Sequence, residues 1–330
     1  MLARRHLLLS GAATAAGLAA PYLARAADAP RTLRMGYLLS KDSQLGAGAT
    51  AMADAVGKAT GGRIGIQQFP DAALGGEVEI VKAVQLGSVD LAFVTGAGLA
   101  TAFPDTDVFH IPFLFSSAAH AHAVFDGAVG QDFLKRLSNQ DQVTLAWGEN
   151  GMRHMTNSKH PIATPDDLKG LRMRLPQSEV MVLGFKALGA EAAMLPFPQL
   201  FEALQSGQFD GQENPIATIQ AAKFDKVQKF LTLSSHVYDP AAIIMSADTH
   251  DELSAEDKAA FADAAKLGAA ASRKYAAAAE ESGVAALKQA GMQVVADIDR
   301  ARFVAVMGSV EPEYERRFGK EQIERIRQIA

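Results

Sequence analysis

The sequence predicts a two-lobed α/β protein, and three observations carry that reading. Segments rich in β-branched or long apolar residues alternate with helical patterns, the signature of parallel α/β layers rather than of a sandwich or a bundle. One αβ unit occurs twice: Ala83-Val84-Gln85-Leu86-Gly87-Ser88-Val89-Asp90 leads into Leu91-Ala92-Phe93-Val94, and Ala203-Leu204-Gln205-Ser206-Gly207-Gln208-Phe209-Asp210 leads into Gly211-Gln212-Glu213-Asn214-Pro215. In each, an apolar helix meets a glycine suited to the left-handed position after a helix, and an Asp precedes a strand. Of the 330 residues, the 304 beyond residue 26 exceed what one compact core usually holds.

The first 26 residues are set apart because Arg4-Arg5 precede Leu7-Leu8-Leu9 and an Ala/Gly-rich run, and Ala24-Arg25-Ala26 fits a small-residue cleavage site. The apolar run of residues 7–20 is shorter than the roughly 20 residues that a membrane span needs. Paired arginines before a weak apolar segment suit a twin-arginine export signal. Without Arg4, Arg5 and Arg25, 29 basic residues face 37 acidic ones. A chain this acidic is a poor nucleic-acid binder. It has no cysteine, which excludes thiol catalysis, thiolate metal sites, disulfides and a lipidated cysteine. The expected product is free in the periplasm.

In chain order, strands are expected at residues 32–38, 63–69, 91–95, 143–147, 171–175, 192–195 and 292–295, with a further one starting at Gly211. Gly148-Glu149-Asn150-Gly151 reads as a strand exit and the first crossing between lobes. Residues 254–290 are alanine-rich, open with Ser254 and the acids Glu256 and Asp257, and meet Gly291. As one helix this segment is on the order of 55 Å long and spans both lobes. The alternative is two helices broken at Ser282-Gly283.

Several side chains stand where a ligand would be held. Arg174 ends the strand Leu171-Arg172-Met173-Arg174-Leu175 before Pro176, and open α/β sheets bind ligands outside the carboxyl ends of their strands. A guanidinium there can grip a carboxylate with two parallel hydrogen bonds, although on position alone it is equally a surface arginine. Arg153 follows the glycine-rich segment, with the same alternative. Asn214 and Gln212 can donate and accept, but Asn214 can also cap the next helix. Glu77 follows Leu74-Gly75-Gly76 at the start of a helix, where an acid also serves the helix dipole.

Other patterns carry less. Gly46-Ala47-Gly48-Ala49-Thr50-Ala51 matches a dinucleotide fingerprint, but six residues separate it from the strand end at Leu39, whereas the fingerprint needs its first glycine at the turn. His120 and His122 point some 200° apart on a helix and cannot share a metal. No nucleophile elbow or paired-histidine zinc motif occurs.

Taken together, the motifs resemble the DctP-type solute-binding proteins of tripartite ATP-independent periplasmic (TRAP) transporters. The likeness is carried by Thr60-Gly61-Gly62-Arg63-Ile64, Leu74-Gly75-Gly76-Glu77, Gln85-Leu86-Gly87-Ser88-Val89-Asp90, Pro112-Phe113-Leu114-Phe115, Glu149-Asn150-Gly151-Met152-Arg153-His154, Leu168-Lys169-Gly170-Leu171-Arg172-Met173-Arg174-Leu175-Pro176, the second αβ unit, and Val227-Gln228-Lys229-Phe230-Leu231. It implies a periplasmic binding protein clamshell with exchanged segments and a long helix spanning both lobes. Lobe I would comprise residues 27–150 plus 239–278, and lobe II residues 151–238 plus 279–330.

The resemblance also implies site roles: Arg174 gripping the ligand carboxylate, Arg153 as a second arginine on the ligand, Asn214 beside the carboxylate and Phe197 as an aromatic wall. Glu77, Thr95 and Gln44 would meet the rest of the ligand, and Gln177 would add a water-mediated contact. Thr95 stands where some sialic-acid-binding relatives carry a carboxylate, and Leu38 where they carry a polar group, which disfavours sialic acid. The implied function is an extracytoplasmic receptor of a TRAP transporter that hands a small organic acid, whether a hydroxylated monocarboxylate, a sugar acid or a dicarboxylate, to a membrane permease. A negative Glu77 would disfavour a second carboxylate and favour a hydroxylated monocarboxylate over a dicarboxylate. No cofactor, metal, catalytic residue or nucleic-acid partner is expected, and a monomer is. The alternatives are a binding subunit of another transporter class or sensor, and an organic-acid lyase using Glu77 and His154 as acid and base.

Overall fold

The computed structural model describes residues 30–139 and 141–329, so the export signal expected at residues 1–26 lies outside the described residues. Among the described residues no helix is long and apolar enough to cross a membrane. Nine strands form one mixed sheet: β1 (Arg31–Tyr37), β2 (Ile64–Phe69), β3 (Leu91–Thr95), β4 (Gln142–Asn157), β5 (Arg172–Leu175), β6 (Glu191–Met194), β7 (Gly211–Pro215), β8 (Phe230–Ser246) and β9 (Gln293–Val295). Their order is β2-β1-β3-β8-β4-β7-β5-β6, with β9 added to β8.

At one end β1 pairs in parallel with β2 and β3, and at the other β5 pairs in parallel with β6 and β7. Between them β4 and β8 run antiparallel as a long ribbon, whose opposite halves accept β3 on β8 and β7 on β4. The two αβ units behave alike. Gly87 and Gly207 take φ of 67° and 73° after their helices. Asp90 then accepts a hydrogen bond from the backbone N–H of Arg34 in β1, and Asp210 from that of Arg172 in β5. Each Asp thereby fixes its strand against the neighbouring one.

The expected strand exit at residues 148–151 is not an exit: β4 runs on through it to Asn157. Gly148 is there for space, since a Cβ would lie 2.5 Å from the Phe93 ring, and Gly151, with φ 129°, sits at a register shift against β8. The sequence reading also missed β8, because Ser234-Ser235 and Asp239-Pro240 look like turn residues. Pro240 is accommodated opposite Glu149, beside that same register shift.

Residues Ala255–Gln289 form one helix of 35 residues, capped by Ser254, whose hydroxyl accepts from the Asp257 N–H at 3.1 Å. Gly283 does not break it; a Cβ there would lie 2.5 Å from Ile216, so the glycine permits close packing on the helix Ile216–Ala221. Gly268 approaches Gly48 in the same way, which explains the false fingerprint: residues 46–51 lie inside the helix Gln44–Ala59 and pack on the long helix. The helices Glu311–Phe318 and Lys320–Arg327, expected in lobe II, bury Tyr314, Ile323 and Ile326 in the cluster built around Phe109, Phe125 and Trp147.

Candidate ligand-binding cleft

Where the β4–β8 ribbon passes between the two ends of the sheet, side chains from both ends converge on a cavity of about 50 Å³. Arg174, Pro176, Gln177, Phe197 and Asn214 line it from one side, Leu38, Leu39, Glu77, Thr95 and Gly98 from the other, with Asn150, Arg153 and Thr218 between. Thr95, Asn150, Arg153, Arg174, Asn214 and Thr218 are all buried, so the cleft shields them from solvent.

Arg174 reaches the cavity because β5 is only four residues long and ends at Leu175 before Pro176. Its Nε donates to the Leu195 carbonyl at 2.8 Å. Among the described residues no carboxylate lies within ion-pair distance of its guanidinium. Burial pushes it down to about 9, and the fields of Glu213 and Glu77 offset that only in part, while Arg153 adds to it.

Arg153 lines the same cavity in the opposite condition. Its Nε donates to Glu213 Oε2 at 2.5 Å, Nη1 to Asp239 Oδ2 at 2.7 Å, and Nη2 to Glu213 Oε1 at 2.8 Å and Asn214 Oδ1 at 3.2 Å. Burial works against its charge, but Glu213 and Asp239 outweigh burial and hold it above the ordinary arginine value. The expected second arginine does line the cavity, but the protein's own carboxylates already occupy most of its fork. The network extends outward, with His236 on Glu213 at 3.2 Å and His110 between Asp239 and Asp107 at 3.1 and 3.0 Å. Burial opposes the charge on His110, yet the two carboxylates raise it to about 9.

Asn214 is a strand residue, not a helix cap; its Oδ1 accepts from Arg153 and its Nδ2 donates to Gln212 Oε1 at 2.5 Å. That leaves one amide hydrogen for the cavity, and Gln212 stands behind as support. Phe197 forms part of the wall, its ring 6.0 Å from that of Phe224. Gln177 lies at the rim and is half-buried.

Glu77 begins the helix Glu77–Gln85 and is pinned by Thr95, whose N–H donates to Oε1 at 2.6 Å and whose hydroxyl donates to Oε2 at 2.8 Å. Burial raises Glu77 to about 7, with the two Thr95 bonds partly offsetting it. The expectation of a fully negative Glu77 is corrected accordingly: near neutral pH it sits between its two forms. Gly98 makes the arrangement possible, because a Cβ there would lie 2.7 Å from the Glu77 Cβ.

Two further expectations change. Gln44 does not line the cavity; it is fully buried behind Asn150 and Thr218, because its place as the first residue of a helix aims the amide at them. His154 is turned away from Glu77, with Nε2 on Glu280 at 2.7 Å and Nδ1 accepting from the Ser235 N–H, so the acid and base of a lyase are not assembled. Sequence reasoning missed Asp239 and His110, whose relevance depends on β8, and also Thr218. Glu213 and Asn150 lie inside the family-like motifs, but nothing in those motifs distinguishes them.

The family model for bacterial extracellular solute-binding proteins, family 7 (DctP), matches residues 35–317. The chain is 34% identical over 294 residues to the 2,3-diketo-L-gulonate-binding periplasmic protein YiaO of Escherichia coli strain K12, covering 89% of each. Among solved structures, a TRAP periplasmic solute-binding protein from Polaromonas sp. JS666 bound to D-erythronate is 43% identical with a TM-score of 0.89, covering 91% of this chain and 99% of that one. The sugar-acid-binding protein of Advenella mimigardefordensis in complex with galactonate is 35% identical with a TM-score of 0.87, covering 91% and 98%.

Proposed function

We propose that this chain, which belongs to the DctP family of bacterial extracellular solute-binding proteins and has the periplasmic receptor function of TRAP solute-binding proteins, captures a compact hydroxylated monocarboxylate in the closed cleft. One observation carries the reading: Arg174 is a buried guanidinium with no carboxylate within ion-pair distance among the described residues, and it faces a cavity. A ligand carboxylate there would complete a desolvated, charge-assisted pair. Asn214 would donate its remaining amide hydrogen, Phe197 would cover an apolar face, and Gln177 would close the rim. At the other end Glu77 and Thr95 offer acceptors that suit ligand hydroxyls better than a second carboxylate.

The size of the cavity favours a short acid. At about 50 Å³ it is small, which suits a compact acid better than a bulky one. The D-erythronate bound by the Polaromonas protein fits that description. Release to a membrane permease would follow opening of the cleft in the periplasm, after export on the signal at residues 1–26. The ligand would leave unchanged, since Glu77 has no partner base in the cleft. The protein would act as a monomer.

The test is a thermal-shift panel of D-erythronate, galactonate and succinate on protein unfolded and refolded to strip bound solute, repeated with Arg174→Ala. A ligand at 100 times its Kd raises stability by about 2.7 kcal/mol. D-erythronate is expected to give the largest shift, and Arg174→Ala to abolish it. A shift that survives in the variant, or a preference for succinate, overturns the reading.

A further inference from the structure

We propose that Gln44 is a clasp that holds the cleft shut, positioning its two walls against each other without touching the ligand. The proposal rests on the reading of the cleft as a site that closes over a solute. Gln44 opens the helix Gln44–Ala59, whose Leu45, Ala49, Met52 and Val56 are buried with β1 and β3. Thr218 belongs to the helix Ile216–Ala221, whose Ile216 and Ile219 are buried in a different cluster, with Leu200, Phe224 and Leu287. The Gln44 Nε2 bridges these two bodies. It donates to Thr218 Oγ1 at 2.9 Å and to the Oδ1 and backbone carbonyl of Asn150 at 2.6 and 3.0 Å.

Both ends of the bridge are anchored. Ser43 caps the helix, its hydroxyl accepting from the Gly46 N–H at 3.1 Å and donating to the Ser40 carbonyl at 2.5 Å, which fixes where Gln44 points. Asn150 donates its Nδ2 to Asp239 Oδ2 at 2.8 Å, and Asp239 in turn holds Arg153. Asn150 also sits at the register shift of β4 against β8, where the ribbon passes between the two ends of the sheet. Thr218 and Asn150 face the cavity, while Gln44 lies one layer behind, fully buried.

Neutral hydrogen bonds of this kind contribute little net free energy, so the bridge biases closure without locking it. When only a fraction of the protein is in the binding-competent form, the apparent Kd is the intrinsic value divided by that fraction. Removing the bridge should weaken every ligand alike.

The experiment measures Kd and dissociation rate for D-erythronate, galactonate and succinate with wild type, Gln44→Met and Arg174→Ala, together with unliganded melting temperatures. Gln44→Met is expected to raise Kd about tenfold for each acid the wild type binds, the scale of one neutral buried hydrogen bond. The change should appear in the dissociation rate, with unaltered ratios between acids and an unaltered unliganded melting temperature. A changed ratio would make Gln44 a ligand contact. An unchanged Kd, or a matching fall in the unliganded melting temperature, would also overturn the clasp. Gln44→Glu keeps the shape but loses the donor, and its affinity relative to wild type should recover as acid restores a proton; a pH-independent ratio overturns the proposal. If Arg174→Ala binds as wild type does, the cleft reading itself fails, whereas its loss beside an unaffected Gln44→Met sinks the clasp alone.

Discussion

The cleft contains two regions built around an arginine, and they differ in whether the protein itself answers the charge. Around Arg153, Glu213 and Asp239 supply carboxylates at 2.5 and 2.7 Å, and His236 and His110 extend the network outward from them. Around Arg174 there is one backbone carbonyl and an empty space lined by Asn214, Phe197 and Gln177. Both arginines are 2% exposed, so burial does not separate them. What separates them is compensation. A compensated buried cation ties strands together, whereas an uncompensated one is a demand for an anion.

The sharpest way to break this comparison is Arg153→Met. It leaves Glu213 and Asp239 buried without their cation, and breaking such a pair typically costs about 3–5 kcal/mol. Urea unfolding of the unliganded protein should register that loss, and a cost below about 1 kcal/mol would show that the network is not structural.

Glu77 offers the next largest effect, because burial raises it from 4.5 to about 7. A carboxyl with a raised folded-state pKa contributes stability that is complete below pH 4.5 and is lost as pH rises through about 7. Relative to Glu77→Gln, the unliganded wild type should therefore lose about 3 kcal/mol across that interval. A flat difference would mean that Glu77 is ionised throughout, returning a dicarboxylate-repelling anion to that end of the cleft.

The smallest effect is expected at Arg174. In the unliganded protein, Arg174→Ala removes a buried cation that no carboxylate among the described residues pairs directly, so its unfolding free energy should stay within about 1 kcal/mol of wild type or rise. A loss as large as that of Arg153→Met would erase the distinction between the two regions.

Much of this architecture could be read directly from residues. The repeated helix–Gly–Asp–strand unit, the strand that ends at Arg174 and the long alanine-rich helix all depend on local patterns. The failures share a cause as well. Gly148 read as part of a strand exit, and Gly283 left a break open as the alternative, because glycine weakens isolated elements, yet each serves close packing on a distant partner, Phe93 or Ile216. β8 escaped the sequence reading because the register shift that accommodates Pro240 in it belongs to the pairing with β4. Gln44, expected on the ligand from the resemblance, is instead a buried helix start, where Asn150 and Thr218 meet it.

By itself, then, the sequence determined the layered α/β units, the family and an arginine at the carboxyl end of a strand, since propensity, patterning and short spacings act over a few residues. Only the tertiary structure decided which arginine stays unpaired, because Asp239 reaches Arg153 from 86 residues away and Glu213 from 60. Whether a buried charge is satisfied depends on every group within a few ångströms, and in a folded chain those neighbours come from anywhere along it.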